Sequence, residues 1–75
     1  MRKADKKIQS AFFERLRLFE DNPFYPMLDN HRLTGKYEGC RSINITGDWR
    51  AIFREFENYG LVSFETLGTH SQLYK

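Results

Sequence analysis

Two histidines, His31 and His70, stand in this chain with a small set of arginines and aromatics: Arg41, Arg50, Arg54, Trp49 and Tyr74. Between them these residue types supply the parts for metal-independent cleavage of RNA. A base must take the 2′-hydroxyl proton, an acid must protonate the departing 5′-oxygen, and a cation must stabilise the charged phosphorane. Histidine suits either proton step, because its unperturbed pKa of about 6.5 lies near neutrality. Arginine suits the phosphate through a planar, always-charged fork. An aromatic ring can stack on an unpaired base. Each residue also has a structural reading. The histidines can serve as surface or capping groups, Trp49 as packing, and Asp48 as the end of a turn. Arg50 and Arg54 share a strand face by parity and can be solvated charges.

Other chemistries lack their parts. Gly35, Gly39, Gly47, Gly60 and Gly68 are isolated, so no phosphate-cradling glycine loop is present. No spacing argues for a Ser-His-Asp triad. The lone Cys40 excludes an internal disulfide and any cysteine-based zinc site, and reads as apolar filler. The histidines bring no further ligands at metal-binding spacing, so no metal and no cofactor is expected.

The elements that must position these residues follow from periodicity. Over residues 4–20, Ile8, Ala11, Phe12, Leu16 and Phe19 recur at spacings of three and four and form one stripe of an amphipathic helix. Phe13 falls on its margin, Asp5 is a candidate cap, and Asp21-Asn22-Pro23 stops it. Residues 22–37 read as a connection, since Pro23 and Pro26 forbid a helix interior and a central strand. Its apolar content, Phe24 to Leu28, implies that it is pinned to the core. From residue 40 the period becomes two, with Ile43 and Ile45 alternating with Ser42, Asn44 and Thr46. Thr46-Gly47-Asp48 is a tight turn, 49–56 a second strand, 57–60 another turn, and 61–67 a third strand before a tail to Lys75. The expected fold is therefore α+β, one domain over residues 1–75, with an N-terminal helix packed on a three-stranded antiparallel meander.

At 75 residues such a domain buries only about 60% of its unfolded surface. Twelve aromatic residues, seven Phe, four Tyr and one Trp, must make up for that with bulk. The net charge of +2 neither demands nor excludes a nucleic-acid partner, although Arg2, Lys3, Lys6 and Lys7 crowd the start. No apolar run approaches the roughly 18 residues of a membrane span and no signal peptide is visible, which points to the cytoplasm.

Three ordered segments carry a resemblance: Asn30-His31-Arg32-Leu33-Thr34-Gly35, then Arg41-Ser42-Ile43-Asn44-Ile45-Thr46-Gly47-Asp48-Trp49-Arg50, then Leu67-Gly68-Thr69-His70-Ser71-Gln72-Leu73-Tyr74. The order resembles the YafQ-type pattern of the RelE/ParE toxin superfamily: H-x-L-x-G, a strand and turn ending in D-W, and a closing G-T-H-x-x-L-aromatic. The resemblance implies a RelE-like sheet packed by helices. It also implies the toxin of a type II toxin–antitoxin system, acting as a ribosome-dependent, metal-independent mRNA endoribonuclease. Partners would be a cognate antitoxin, the ribosome and mRNA. On this resemblance His31 and His70 are catalytic, His70 as general acid. Asp48 and Trp49 match the D-W pair, Asp48 as a third catalytic residue and Trp49 as an RNA contact, and Tyr74 matches the aromatic that holds RNA. Arg41, Arg50 and Arg54 are expected on phosphates by their charge.

The chain departs from that pattern in two places. Ser42 and Asn44 stand where such enzymes carry an aspartate and a histidine, which leaves the acid–base work to His31 and His70. The helix at 4–20 also corresponds to the family's second helix, with no strand and helix before it. The expectation is then a truncated RelE-like fold with an exposed sheet edge, prone to form a homodimer. Two further readings stay open: a ParE-like topoisomerase inhibitor, and an inactive remnant that still binds an antitoxin.

Overall fold

The computed structural model describes residues 6–73. Helix α1, Lys6–Asp21, follows the expected stripe, with Phe12 and Phe19 buried and Ala11 and Leu16 packed beside them. Phe13 is 58% exposed. The stop works through Asn22, whose Oδ1 accepts a hydrogen bond from the Phe24 amide at 3.0 Å and turns the chain away from the helix axis. The proposed Asp5 cap lies outside the described residues. The following connection is pinned only in part: a 3-10 turn at Pro26–Leu28 buries Leu28 completely and Tyr25 packs on the core, whereas Phe24 and Met27, expected there too, are exposed.

The sheet has four strands where periodicity gives three. Strand β1 is only His31–Arg32, too short to show any period. It pairs antiparallel with β2, Arg41–Asn44, in the register His31 to Ser42 and Arg32 to Arg41. A 3-10 turn at Gly35–Tyr37 links them. Strand β3 is Trp49–Phe56 and β4 is Leu61–Thr69, so the sheet order is β1-β2-β3-β4, antiparallel throughout. What reads as a tail begins with a short helix, α2, His70–Leu73.

A bulge in β4 explains a break in its pattern. Ile52 pairs with Thr66 but Phe53 pairs with Phe64, so Glu65 is an extra residue. The inserted residue lets Val62, Phe64 and Leu67 all reach the α1 side, although 64 and 67 differ in parity. On that side Phe12, Phe19, Leu28, Ile43, Ile45, Ala51 and Phe53 form the main core. Aromatic edges meet there, Phe19 on Phe53 at 5.0 Å and Phe12 on Phe64 at 5.3 Å between ring centroids.

The opposite sheet face is also covered. Strand alternation places Ile52 there, and it is buried with Leu33, Cys40 and Leu73 in a second, smaller cluster. Ser42, expected on an open face, is fully buried beside it. The loop after β1 and helix α2 close over this side. Among the described residues no helix is long and apolar enough to cross a membrane.

Candidate active site

Two cross-strand rows lie on the face that carries Ile52. One runs His31, Ser42, Ile52, Thr66; the other runs Asn44, Arg50, Gly68. Over them opens a cleft of about 380 Å³ lined by Asp29, His31, Leu33, Arg50 and His70. Three elements distant in sequence thus bring two imidazoles and one guanidinium to a common space: β1, β3 and α2.

His31 sits at the sheet edge with its Nδ1 2.7 Å from the backbone carbonyl of Asp29. A carbonyl only accepts, so in the neutral ring Nδ1 carries the proton and Nε2 keeps the lone pair. The Asp29 carboxylate is 3.8 Å from the same Nδ1, placed to attract an imidazolium once one forms. Asp29 takes a left-handed conformation (φ 49°), which an aspartate tolerates better than most residues and which turns its carbonyl towards the ring.

His70 is held by backbone. Its N–H donates to the Asp48 carbonyl at 3.0 Å, which ties the start of α2 to the turn before β3. The preceding Gly68 is equally constrained: a Cβ there would stand 3.2 Å from both Gln72 Oε1 and Leu73 Cδ2. A side chain at this position would have to displace the ends of Gln72 and Leu73, so glycine leaves the most room for α2 to fold back.

Arg50 projects from the middle of the sheet. Its Nη1 donates to the carbonyls of Thr46, Gly47 and Trp49, each at 3.2 Å, closing the β2–β3 turn. The guanidinium is thereby fixed at the cleft wall. The turn itself is held by the Trp49 amide donating to Thr46 Oγ1 at 3.2 Å.

Other residues singled out by sequence are placed elsewhere. Arg41 shares the parity of Ile43 and lies on the α1 side, where its Nε donates to Asn30 Oδ1 at 2.7 Å and its guanidinium covers the Phe24 ring at 5.7 Å. Trp49, with the parity of Ala51 and Phe53, packs against the main core. Arg54 is on the same face as Arg50 but outside the cleft, with its Nε 4.0 Å from Glu65 Oε2. Asp48 is exposed and contributes its carbonyl to His70. Tyr74 lies outside the described residues. Strand parity, legible in the sequence, already separates Arg41 and Trp49 from Arg50 and Arg54.

Comparison with known proteins fits this architecture to a family. Residues 1–75 match the family model described as a bacterial toxin of type II toxin–antitoxin system, YafQ. The chain belongs to the YafQ toxin family. Among solved structures, YafQ from E. coli strain BL21(DE3) superposes with a TM-score of 0.74 at 23% identity, covering 89% of this chain and 74% of that one. YafQ in the E. coli DinJ-YafQ toxin–antitoxin complex gives a TM-score of 0.67 at 26% identity, over 99% of this chain and 78% of the other. A YoeB/ParE toxin from Agrobacterium tumefaciens shares the fold, with a TM-score of 0.68 at 18% identity, 92% of this chain and 81% of that one being covered. No curated protein matches the sequence.

This YafQ-family chain holds its cleft with two residues that motif reading passes over. Asp29 orients His31, and the left-handed turn that makes this possible has no clear local signal beyond the residue type. Gln72 closes on Thr69, a pairing for which the signal is present: Thr69-His70-Ser71-Gln72 has the T-x-x-Q spacing of a capping box.

Proposed function

We propose that this type II toxin is a ribosome-dependent mRNA endoribonuclease in which His31 is the general base, His70 the general acid and Arg50 the phosphate-binding cation. The supporting observation is the single cleft that the three side chains line. In the proposed step His31 Nε2 takes the proton of a ribose 2′-hydroxyl, and the resulting oxygen attacks the adjacent phosphorus. The bond from phosphorus to the 5′-oxygen breaks, His70 gives that oxygen a proton, and a 2′,3′-cyclic phosphate is left behind. Arg50, pinned to the turn carbonyls, meets the growing negative charge without having to reorganise. These three groups provide every part that the chemistry requires, so the serine and asparagine at 42 and 44 need supply no proton transfer.

The same reading assigns this chain a cognate antitoxin, by its likeness to the YafQ of the DinJ-YafQ complex, and a cytoplasmic place of work, where ribosomes are. Arg54 would add to phosphate attraction from outside the cleft, and Asp48 would act through its backbone by fixing His70. A ParE-like block of a topoisomerase would give no use for two histidines and an arginine lining one cleft.

Cell-free translation with primer extension on the mRNA tests the proposal. His70→Ala and His31→Ala should each lower cleavage by about 10²–10⁴-fold with an unchanged circular dichroism spectrum. A folded His70→Ala variant that cuts at the wild-type rate would overturn it.

A further inference from the structure

We infer that Thr69 and Gln72 are positioning residues for His70, acting as a reciprocal clamp that welds the end of β4 to the start of α2; the inference rests on the cleavage reading above. The Thr69 N–H donates to Gln72 Oε1 at 3.0 Å, and the Gln72 N–H donates to Thr69 Oγ1 at 3.3 Å. Each bond satisfies a backbone donor that a helix start would otherwise leave without an intrahelical partner. Thr69 is the last residue of β4 and His70 the first of α2, so no linker residue intervenes between sheet and histidine.

The clamp matters because α2, His70–Leu73, is a single turn among the described residues. A helix of one turn does not persist in water on propensity, since nucleation costs more than its few bonds return. Three attachments hold this one: the clamp, the His70 amide on the Asp48 carbonyl at 3.0 Å, and Leu73, 6% exposed among Leu33, Cys40 and Ile52. The Asp48 bond holds His70 at one point and Leu73 holds the far end; the clamp, spanning both sides of His70, adds a constraint on the direction of the helix between them.

Neither clamp side chain belongs to the core, and neither lines the cleft. Gln72 is exposed, so shortening it opens no cavity and removes no group that faces substrate. Any effect on cleavage must pass through the fraction of time that His70 is held in place. Such a loss appears in kcat and leaves KM alone, because binding draws on the rest of the surface.

The test uses the full chain on programmed ribosomes, with wild type and His70→Ala as references. Gln72→Ala should lower kcat about tenfold with KM within about twofold, the size expected when a cap is lost. Gln72→Glu should restore most of the rate, because glutamate completes the same box. Thr69→Ala should fall likewise and Thr69→Ser recover. Hydrogen exchange reads the clamp without reference to activity: the Gln72 amide should exchange faster in Thr69→Ala while the amides of β3 keep their protection. Faster exchange at Gln72 with a wild-type kcat would overturn the positioning role and leave the cleavage reading standing. An unchanged exchange rate would show that the clamp is not what orders α2. A wild-type chain that cleaves no better than His70→Ala would overturn the cleavage reading, and this inference with it.

Discussion

Ser42 is fully buried between His31 and Ile52 in its cross-strand row, and its Oγ has no hydrogen-bond partner. Asn44 Oδ1, one step along β2 on the same face, is likewise buried and unpaired. A buried hydroxyl without a partner carries a desolvation penalty of about 1–3 kcal/mol. These polar groups therefore weaken the fold on this face of β2. Ser42→Ala removes the orphan oxygen at little cost in packing. It should raise stability by about 1 kcal/mol, which in a domain of this size moves Tm up by about 4–8 °C. A thermal melt at or below the wild-type midpoint would show that Ser42 has a partner in solution.

At the scale of elements, the docking of α2 on β4 decides where one histidine stands. Gly68 is the point of closest approach, with Gln72 and Leu73 pressed against the space above its Cα. Gly68→Val forces two branches into that space. Overpacking of this kind costs about 1–3 kcal/mol, and the weakest neighbouring attachment, α2, is the one that gives way. The expected result is a lowered Tm together with lost protection of the α2 amides and lost cleavage. A variant that melts with wild type and keeps α2 protected would mean that the helix tolerates a shift. The β4 bulge is a second device at this scale. Without Glu65 as an extra residue, either Phe64 or Leu67 would leave the main core.

For the whole molecule, the aromatic cluster is the centre of stability. Phe53 is fully buried and its ring meets Phe19 at 5.0 Å, Phe64 at 5.5 Å and Tyr59 at 6.3 Å. Tyr59 holds its place at a left-handed φ of 72°, a conformation that a bulky residue adopts only when packing compels it. Truncating a buried Phe costs about 3–5 kcal/mol. A single core at this chain length rarely supplies more than about 3–5 kcal/mol in all. Phe53→Ala should therefore be largely unfolded at 25 °C by circular dichroism. A cooperative melt well above that temperature would place the stability of the domain in the second cluster, around Ile52, instead.

What the sequence determined by itself was local. The stripe from Phe12 to Phe19 set α1, the β-forming run from Trp49 to Phe56 set β3 to the residue, and Gly47 marked the turn between strands. The three ordered motifs identified the family. The element signals depend on neighbours within one or two turns of chain, where sterics and period leave few choices, whereas the family signal lies in the order of motifs spread over residues 30–74. Some information was legible and passed over, as in the T-x-x-Q box at Thr69 and the parity that sends Arg41 to the α1 side. The tertiary structure alone decided which residues share a space. Strand β1 exists only because β2 offers its edge to His31 and Arg32, and no two-residue segment has a period of its own. His31, Arg50 and His70 meet because a sheet register and a folded-back helix bring them together. Those contacts are fixed by packing between distant segments, which no local pattern encodes.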